Sequence, residues 1–292
     1  MAYSTPPRSQ AESPSFPTPP RRPRRGRGGE IAGKVFLIAL VLALGGGALY
    51  AVNWLSHPNP PAPPGPTGPP PFEVPPLDVA KDATIPGPAM PPAPAAAAVP
   101  KENLQGWVHR VSYYSDIPER VLLAYANADI AYQAKNPACH ITWATLAGVG
   151  RVESKHGRYG AGSVQANGEE SRPIIGPALD GSPGFLAVPD TDQGALDGDT
   201  KWDHAVGPMQ FTPATWHRWG VRASGDGKPA DPQNIDDASM TAARYLCAMG
   251  GDLSVPKNWW SAVLTYNNST AYGQEVFSNA DAYGKVSLGK LF

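Results

Sequence analysis

The chain has 292 residues, which is enough for one ordinary domain with accessory segments. Its 24 Lys and Arg residues nearly balance its 25 Asp and Glu residues, so the total charge gives no indication of nucleic-acid binding. Its two cysteines are too few for a thiolate metal site.

The first 33 residues are basic and rich in Pro, Ser and Gly, which predicts a disordered tail. Such a tail binds single-stranded nucleic acid when aromatic residues interleave with its cations and stack on bases. That interleaving is missing from residues 1–33. We therefore expect no nucleic-acid partner.

Residues 34–55 are predicted to form a transmembrane helix. The run "VFLIALVLALGGGALYAV" (35–52) carries no charge, and about 20 apolar residues span the roughly 30 Å hydrocarbon core. Lys34 and the arginines precede the run, while Tyr50 and Trp54 lie at its far end. The positive-inside rule then places residues 1–33 in the cytoplasm and the rest of the chain outside, as a single-pass protein of the cell membrane. The alternative is a cleaved signal peptide, whose apolar run is normally about 7–15 residues and precedes an A-x-A site.

Residues 56–100 are dominated by proline and alanine, as in "HPNPPAPPGPTGPPPFEVPP" (57–76). This composition cannot bury a core and predicts an extended, semi-rigid linker. From residue 101 to residue 292 the composition becomes that of a globular domain.

The domain is predicted to be mainly α. Apolar periodicity indicates a helix after Pro118 and another after Thr142, an N-cap candidate. Four further helices are predicted, at 213–219, 236–249, 257–266 and 270–282. About 50 residues rich in Gly, Asp and Pro (157–206) show little periodicity, and loops of this length within a domain are usually functional or disordered.

Both cysteines, Cys139 and Cys247, lie beyond the predicted membrane helix. A pair of cysteines in an oxidising compartment predicts one disulfide. The alternative is two buried free thiols.

Three short motifs follow one another in the domain: "VES" (152–154), "GPMQF" (207–211) and "LTYNNS" (264–269). In this order, and with these helices between them, residues 112–284 resemble the lysozyme-like lytic transglycosylases, with the membrane-bound lytic transglycosylase B type as the nearest match. That family has an E-S pair at the end of a core helix, a G-[LP]-[ML]-Q-[FI] turn and a downstream [AS]-Y-N. The resemblance implies a lysozyme-like (transglycosylase SLT) domain for residues 101–292 and peptidoglycan glycan strands as the partner.

The resemblance makes Glu153 the single catalytic acid and base. The family cuts the bond between N-acetylmuramic acid and N-acetylglucosamine, and it leaves a 1,6-anhydro end without using water. A general acid at neutral pH needs a raised pKa, and the apolar face bearing Val149 and Val152 is expected to supply it through burial. Most glycosidases use a second carboxylate, for which the long loop offers Asp190, Asp192, Asp197, Asp199 and Asp203. The resemblance predicts that the substrate's own N-acetyl group takes that part instead, and that no cofactor is required.

Other motif residues receive supporting roles by resemblance. Tyr266 is expected to hydrogen-bond near Glu153 and help hold it protonated, and Ser154 to order the catalytic turn. Met209, Gln210 and Phe211 are expected to line the sugar subsites, and Asn267 to brace the motif or meet the substrate. With Ser154 and Tyr266, these residues form the expected substrate-binding set. Core packing is the alternative for Met209 and Phe211, and His156 is expected to be a surface contact.

Residues 221–237, "VRASGDGKPADPQNIDD", resemble the EF-hand-like calcium loop that transglycosylase B relatives can carry. Ser224, Asp226 and Asp237 match ligand positions, with the Lys228 carbonyl between them. The first position, however, falls on Arg222, and calcium binding depends on counting oxygen ligands. The acidic "DTDQGALDGD" (190–199) is another conceivable calcium site, or simply a solvated loop.

The sequence thus predicts a membrane-anchored peptidoglycan lytic transglycosylase. Two rivals stay open. One is a goose-type lysozyme-like hydrolase that uses Glu153 with a water held by a loop aspartate. The other is a catalytically silent cell-wall-binding protein, although the presence of Glu153, Gln210 and Tyr266 together argues against lost activity.

Overall fold

The computed structural model describes residues 72–81, 83 and 103–289. The predicted cytoplasmic tail, transmembrane helix and most of the linker lie outside these residues. Among the residues that are described, no helix has the length and apolar character needed to cross a membrane.

The described domain is mainly helical, as predicted. Its α-helices are α1 (Leu104–Tyr113), α2 (Glu119–Lys135), α3 (Trp143–Ser154), α4 (Pro213–Trp219), α5 (Ile235–Gly250), α6 (Pro256–Tyr266) and α7 (Thr270–Ser287). Short 3₁₀ turns lie at Pro137–Cys139 and Tyr159–Ala161. The Gly- and Asp-rich region contains one two-stranded antiparallel sheet, β1 (Ile175–Ala178) with β2 (His204–Val206), in which Ile175 pairs with Val206 and Ala178 with His204.

Local capping fixes where the helices begin. The Thr142 side chain accepts a hydrogen bond from the backbone N–H of Thr145, and Thr212 does the same from Thr215 at the start of α4. Each of these bonds satisfies one of the four N–H groups that a helix start leaves without a partner. Helix α3 therefore begins where the sequence predicts.

Helix α3 lies in the centre of the core and packs against α7. Their backbones approach closely at Gly148, where an added Cβ would lie 2.7 Å from the Val276 carbonyl oxygen of α7. Only a glycine leaves room for this contact. The close approach brings the C-terminal end of α3 beside the first turn of α7.

The predicted disulfide is confirmed. Cys139, after α2, is bonded to Cys247 of α5 across a sequence separation of 108 residues, and neither cysteine is free. In the chain-entropy model, a cross-link that closes a loop of about 100 residues stabilises a domain by up to about 5 kcal/mol.

Part of the predicted linker is not a free spacer. Residues 72–81 and 83, which we call the strap, lie on α6 and α7. The backbone N–H of Leu77 donates to the Ser278 hydroxyl (2.9 Å), and the Phe72 ring stacks on Tyr283 with 5.1 Å between centroids. At the other end, the Trp260 indole donates to the Ala83 carbonyl (3.4 Å). The strap packs on the domain, where a free linker was expected, because its apolar side chains Phe72, Leu77 and Val79 lie against the core.

Candidate active site

Glu153 lies in the last turn of α3, and the left-handed residue Lys155 ends the helix. Its Oε1 accepts a hydrogen bond from the Tyr272 hydroxyl at 2.6 Å. Burial raises the pKa of Glu153 to about 7, although the Tyr272 hydrogen bond acts in the opposite direction. Near neutral pH the carboxyl group therefore exists in both protonation states, which suits a group that must donate a proton and later accept one.

Tyr272 takes the position that the sequence assigned to Tyr266. The Tyr266 hydroxyl instead donates to the Met209 carbonyl at 2.6 Å. The tyrosine was expected to raise the pKa of Glu153, but Tyr272 lowers it. A hydroxyl that donates to a carboxylate favours its charged form and does not hold it protonated. Protonation of Glu153 is favoured by burial alone.

The three sequence motifs meet at a single turn. Ser154, next to Glu153, donates its hydroxyl proton to the Pro208 carbonyl (2.7 Å) and accepts from the backbone N–H of Gly157 (2.8 Å). The Tyr266 hydroxyl donates a hydrogen bond to the carbonyl of the next residue, Met209. Residues 152–154, 207–211 and 264–269 are thereby joined through two adjacent carbonyl groups.

The turn itself is closed by reciprocal hydrogen bonds between Val206 and Phe211, at 2.8 and 3.1 Å. Gly207 has a φ of 76°, and a Cβ there would lie 1.8 Å from the Pro232 carbonyl oxygen. Gln210 is also left-handed, with a φ of 49°, and its side-chain amide donates to the Gly207 carbonyl at 2.9 Å. The glycine of this motif is thus required both by its φ and by the space around it.

The structure separates the predicted sugar contacts into two groups. Met209, Phe211 and Ser154 are 0%, 2% and 2% exposed, so they pack or brace the site in this conformation and present little surface to a substrate. For Ser154, this agrees with the expected ordering of the turn and not with direct substrate binding. Gln210 is half-buried and Asn267 is exposed, so both side chains have surface to offer a glycan.

Behind the turn lies a buried polar network centred on His156. The expectation that His156 is a surface contact is wrong, because its side chain is fully enclosed. Tyr283 donates to Asp116 (2.7 Å) and lies 2.7 Å from His156 Nε2, while Tyr125 lies 3.2 Å from Nδ1. Since Tyr283 gives its proton to Asp116, His156 donates from Nε2 and accepts at Nδ1. The network fixes the residues that directly follow Glu153.

Glu170 is a buried carboxyl near Glu153 that sequence reasoning missed. It is 8% exposed, and neither carboxyl oxygen has a hydrogen-bond partner among the described residues. Burial raises the pKa of Glu170 to about 8. It lies beside the turn that follows Glu153, since a Cβ on Gly157 would be 2.4 Å from its Oε1. No sequence signal marks it, because its burial depends on how the loop folds back.

The loop aspartates proposed as partners for Glu153 are occupied within their own loop. Each accepts hydrogen bonds from loop residues: Asp190, Asp192, Asp197, Asp199 and Asp203. Within the described chain, the one hydrogen bond to the Glu153 carboxyl comes from Tyr272. Asp190, Asp192 and Asp203 do come together, with carboxylate oxygens within 4.8 Å of one another. Asp190 and Asp192 belong to the acidic segment that the sequence offered as a conceivable calcium site, and the fold adds Asp203 to them.

The calcium loop expected at residues 221–237 does not fit a metal ion. The Arg222 guanidinium lies between the proposed ligands and bonds both Asp226 (2.9 and 3.0 Å) and Asp237 (2.9 Å). A cationic side chain therefore already fills the place among Ser224, Asp226 and Asp237 that calcium would need, and it brings no oxygen ligand.

No protein-family model and no curated protein matches the chain. Among solved structures, it is similar to the Escherichia coli lytic transglycosylase Slt35 in complex with calcium, at 16% identity and a TM-score of 0.38, covering 63% of this chain and 79% of that one. The same enzyme in complex with bulgecin A gives 16% identity and a TM-score of 0.34, covering 63% and 78% of the two chains. A 36 kDa muramidase/transglycosylase gives 16% identity and a TM-score of 0.35, covering 64% and 82%. Because all three TM-scores are below 0.5, the function of this chain is proposed from its own residues.

Proposed function

We propose that this protein is a peptidoglycan lytic transglycosylase of the membrane-bound transglycosylase B type, with Glu153 as its single acid and base. The observation that carries the proposal is the joining of the three motifs. One carboxyl with a pKa near 7 lies at the end of a buried helix, and Ser154 and Tyr266 hold the adjacent turn.

In the first step, protonated Glu153 gives its proton to the glycosidic oxygen between N-acetylmuramic acid and N-acetylglucosamine. The bond from the muramoyl C1 to that oxygen breaks, and the acetamido oxygen of the same sugar bonds to C1. The positive charge is then carried by a ring that belongs to the substrate. No second carboxylate is needed for this step, in agreement with the loop aspartates being engaged elsewhere.

In the second step, the Glu153 carboxylate takes the proton of the muramoyl C6 hydroxyl. The C6 oxygen bonds to C1, the acetamido oxygen leaves, and a 1,6-anhydro end forms without water. Tyr272 serves this half of the reaction, because its hydrogen bond at 2.6 Å stabilises the carboxylate form of Glu153. Among the residues that the resemblance assigns to sugar binding, half-buried Gln210 and exposed Asn267 have surface for holding the sugars.

The proposal includes the location expected from sequence. A helix at residues 34–55 anchors the chain in the cell membrane, and the domain works on the wall outside. Protease accessibility in intact and opened cells, read with tags at each end of the chain, tests this orientation.

Product analysis tests the reaction. Purified protein and its Glu153→Gln variant are incubated with peptidoglycan, and the released muropeptides are weighed by mass spectrometry. Anhydro ends, which are lighter by one water than reducing ends, support the proposal when Glu153→Gln releases none. Reducing ends identify the goose-type lysozyme-like hydrolase instead. Glycan binding without cleavage by either protein identifies a silent wall-binding protein.

A further inference from the structure

Residues 221–237, called the 221–237 loop, connect α4 to α5 and include the first turn of α5, and one side chain in them joins two acidic residues. Arg222 donates from Nε and Nη2 to the two oxygens of Asp226, at 3.0 and 2.9 Å. Its Nη1 donates to Asp237 at 2.9 Å. A planar guanidinium with several donors is suited to this bridging, because it meets a carboxylate with two parallel hydrogen bonds.

Asp237 is the more buried of the two acidic residues that Arg222 bridges. Its side chain is 1% exposed and lies in the first turn of α5. Besides Arg222, it accepts from the backbone N–H groups of Ala223 (2.8 Å) and Asp231 (2.9 Å). A buried carboxylate needs both a counter-charge and hydrogen bonds, and this one receives the charge from Arg222 and the bonds from the loop.

The neighbouring acidic residue of α5 is neutralised in the same way. Arg120 of α2 makes a two-pronged ion pair with Asp236, in which one of the distances is 3.0 Å. Both pairs border one cavity of about 600 Å³. The acidic start of α5 is thus held by two arginines, one from a helix and one from the 221–237 loop itself.

Calcium loops solve the same problem with a divalent ion, which gathers six to eight oxygen ligands around itself. Here Asp226, Asp237, the Ser224 hydroxyl and the Lys228 carbonyl belong to one loop, but the residue at the first ligand position is the cation. A calcium ion would have to displace the guanidinium and would still lack a carboxylate. The bound positive charge would also rise from one to two with no added negative charge.

We propose that Arg222 is a built-in replacement for the metal of a calcium-binding loop, so that the loop is organised without a divalent ion. A single change, Arg222→Asp, removes the internal cation and supplies the missing carboxylate. It therefore converts the loop into a calcium site.

The test is thermal unfolding and titration calorimetry of the whole protein in EDTA, in CaCl₂ and in MgCl₂. The melting temperature of the wild-type protein is expected to be the same in all three. Arg222→Asp melts lower in EDTA, because like charges at 222, 226 and 237 then repel. Calcium at about 100 times its Kd raises the melting temperature of the variant by about 5–10 °C. Arg222→Lys is the matched control, since it keeps a positive charge and is expected to remain insensitive to calcium.

The outcomes separate cleanly. If Arg222→Asp is unfolded in EDTA, refolding on addition of calcium supports the proposal, and failure to refold in calcium contradicts it. Calcium that stabilises the wild-type protein, or a folded Arg222→Asp that ignores calcium, also overturns it. None of these measurements depends on glycan cleavage, so the result stands whether or not the proposed activity is found.

Discussion

Replacing Tyr272 with phenylalanine removes one hydroxyl from the site and keeps the ring that packs in the first turn of α7. That hydroxyl makes the 2.6 Å hydrogen bond to Glu153. Because the bond stabilises the carboxylate form, its loss makes the proton harder to remove. The pKa of Glu153 is therefore expected to rise.

A hydrogen bond to a charged group contributes about 1.5–3 kcal/mol. At 1.36 kcal/mol for each pKa unit, the shift is about 1–2 units. The pKa of Glu153 would move from about 7 to a value that is about 1–2 units higher. At pH 8 the protonated fraction would rise from about one tenth to one half or more.

The assay is the pH profile of kcat/KM on a soluble N-acetylglucosamine–N-acetylmuramic acid oligosaccharide. In the proposed mechanism Glu153 must be protonated in the free enzyme, so activity is expected to fall as pH rises through its pKa. This alkaline limb is expected to move upward by about 1–2 pH units in Tyr272→Phe. Tyr266→Phe is the matched control, because its hydroxyl binds the Met209 carbonyl and not Glu153.

The reasoning is refuted if the alkaline limb of Tyr272→Phe stays in place or moves downward. An equal shift in Tyr266→Phe would also refute it, because the effect would then come from a general disturbance of the site.

The other predictions concern stability and are measured by urea or thermal unfolding. Glu153→Gln should stabilise the protein by about 3 kcal/mol at pH 8 and by almost nothing near pH 4. The reason is that the unfolded chain ionises Glu153 above its unfolded pKa of 4.5, whereas the folded protein resists ionisation up to about pH 7. The penalty on folding therefore develops between these two values and is complete above them. Equal stability of Glu153→Gln and the wild-type protein at pH 8 would contradict this. Gly207→Ala should lower the free energy of unfolding by more than about 3 kcal/mol, and Gly225→Ala by only about 1 kcal/mol. Both glycines have positive φ, but only at Gly207 would a Cβ lie 1.8 Å from a backbone carbonyl oxygen. Phe72→Ala should cost about 1–2 kcal/mol by releasing the strap, whereas Phe185→Ala, at an exposed position, should change stability by less than about 0.5 kcal/mol. Equal effects of the two phenylalanines would show that the strap contributes nothing.

The parts of the fold that sequence predicted are those with local causes. The side chains of Thr142 and Thr212 accept hydrogen bonds from backbone N–H groups three residues later, so the starts of α3 and α4 depend only on nearby sequence. The position of Glu153 at the end of a buried helix follows from the same local pattern. The pairing of Cys139 with Cys247 followed from there being only two cysteines.

What sequence missed depends on packing between distant elements. Tyr266 and Tyr272 are both tyrosines near the junction of α6 and α7, and which one contacts Glu153 is decided by the close approach of α3 and α7 at Gly148. The burial of His156 and Glu170 likewise depends on chain that folds over them. Arg222 was visible in sequence as a missing ligand, but its bonds to both acidic residues required the folded loop.

The strap also sets an order of assembly. The backbone N–H of Leu77 and the hydroxyl of Ser278 that it binds are separated by 201 residues. The first described residues of the chain are therefore synthesised long before the helix that receives them. Because closing so long a loop is entropically costly until the intervening chain is organised, we expect these contacts to form late in folding. Docking of the strap is thus expected only in a domain whose α7 is already folded. A chain that stops within α7 before Ser278 would lack the hydroxyl that binds Leu77.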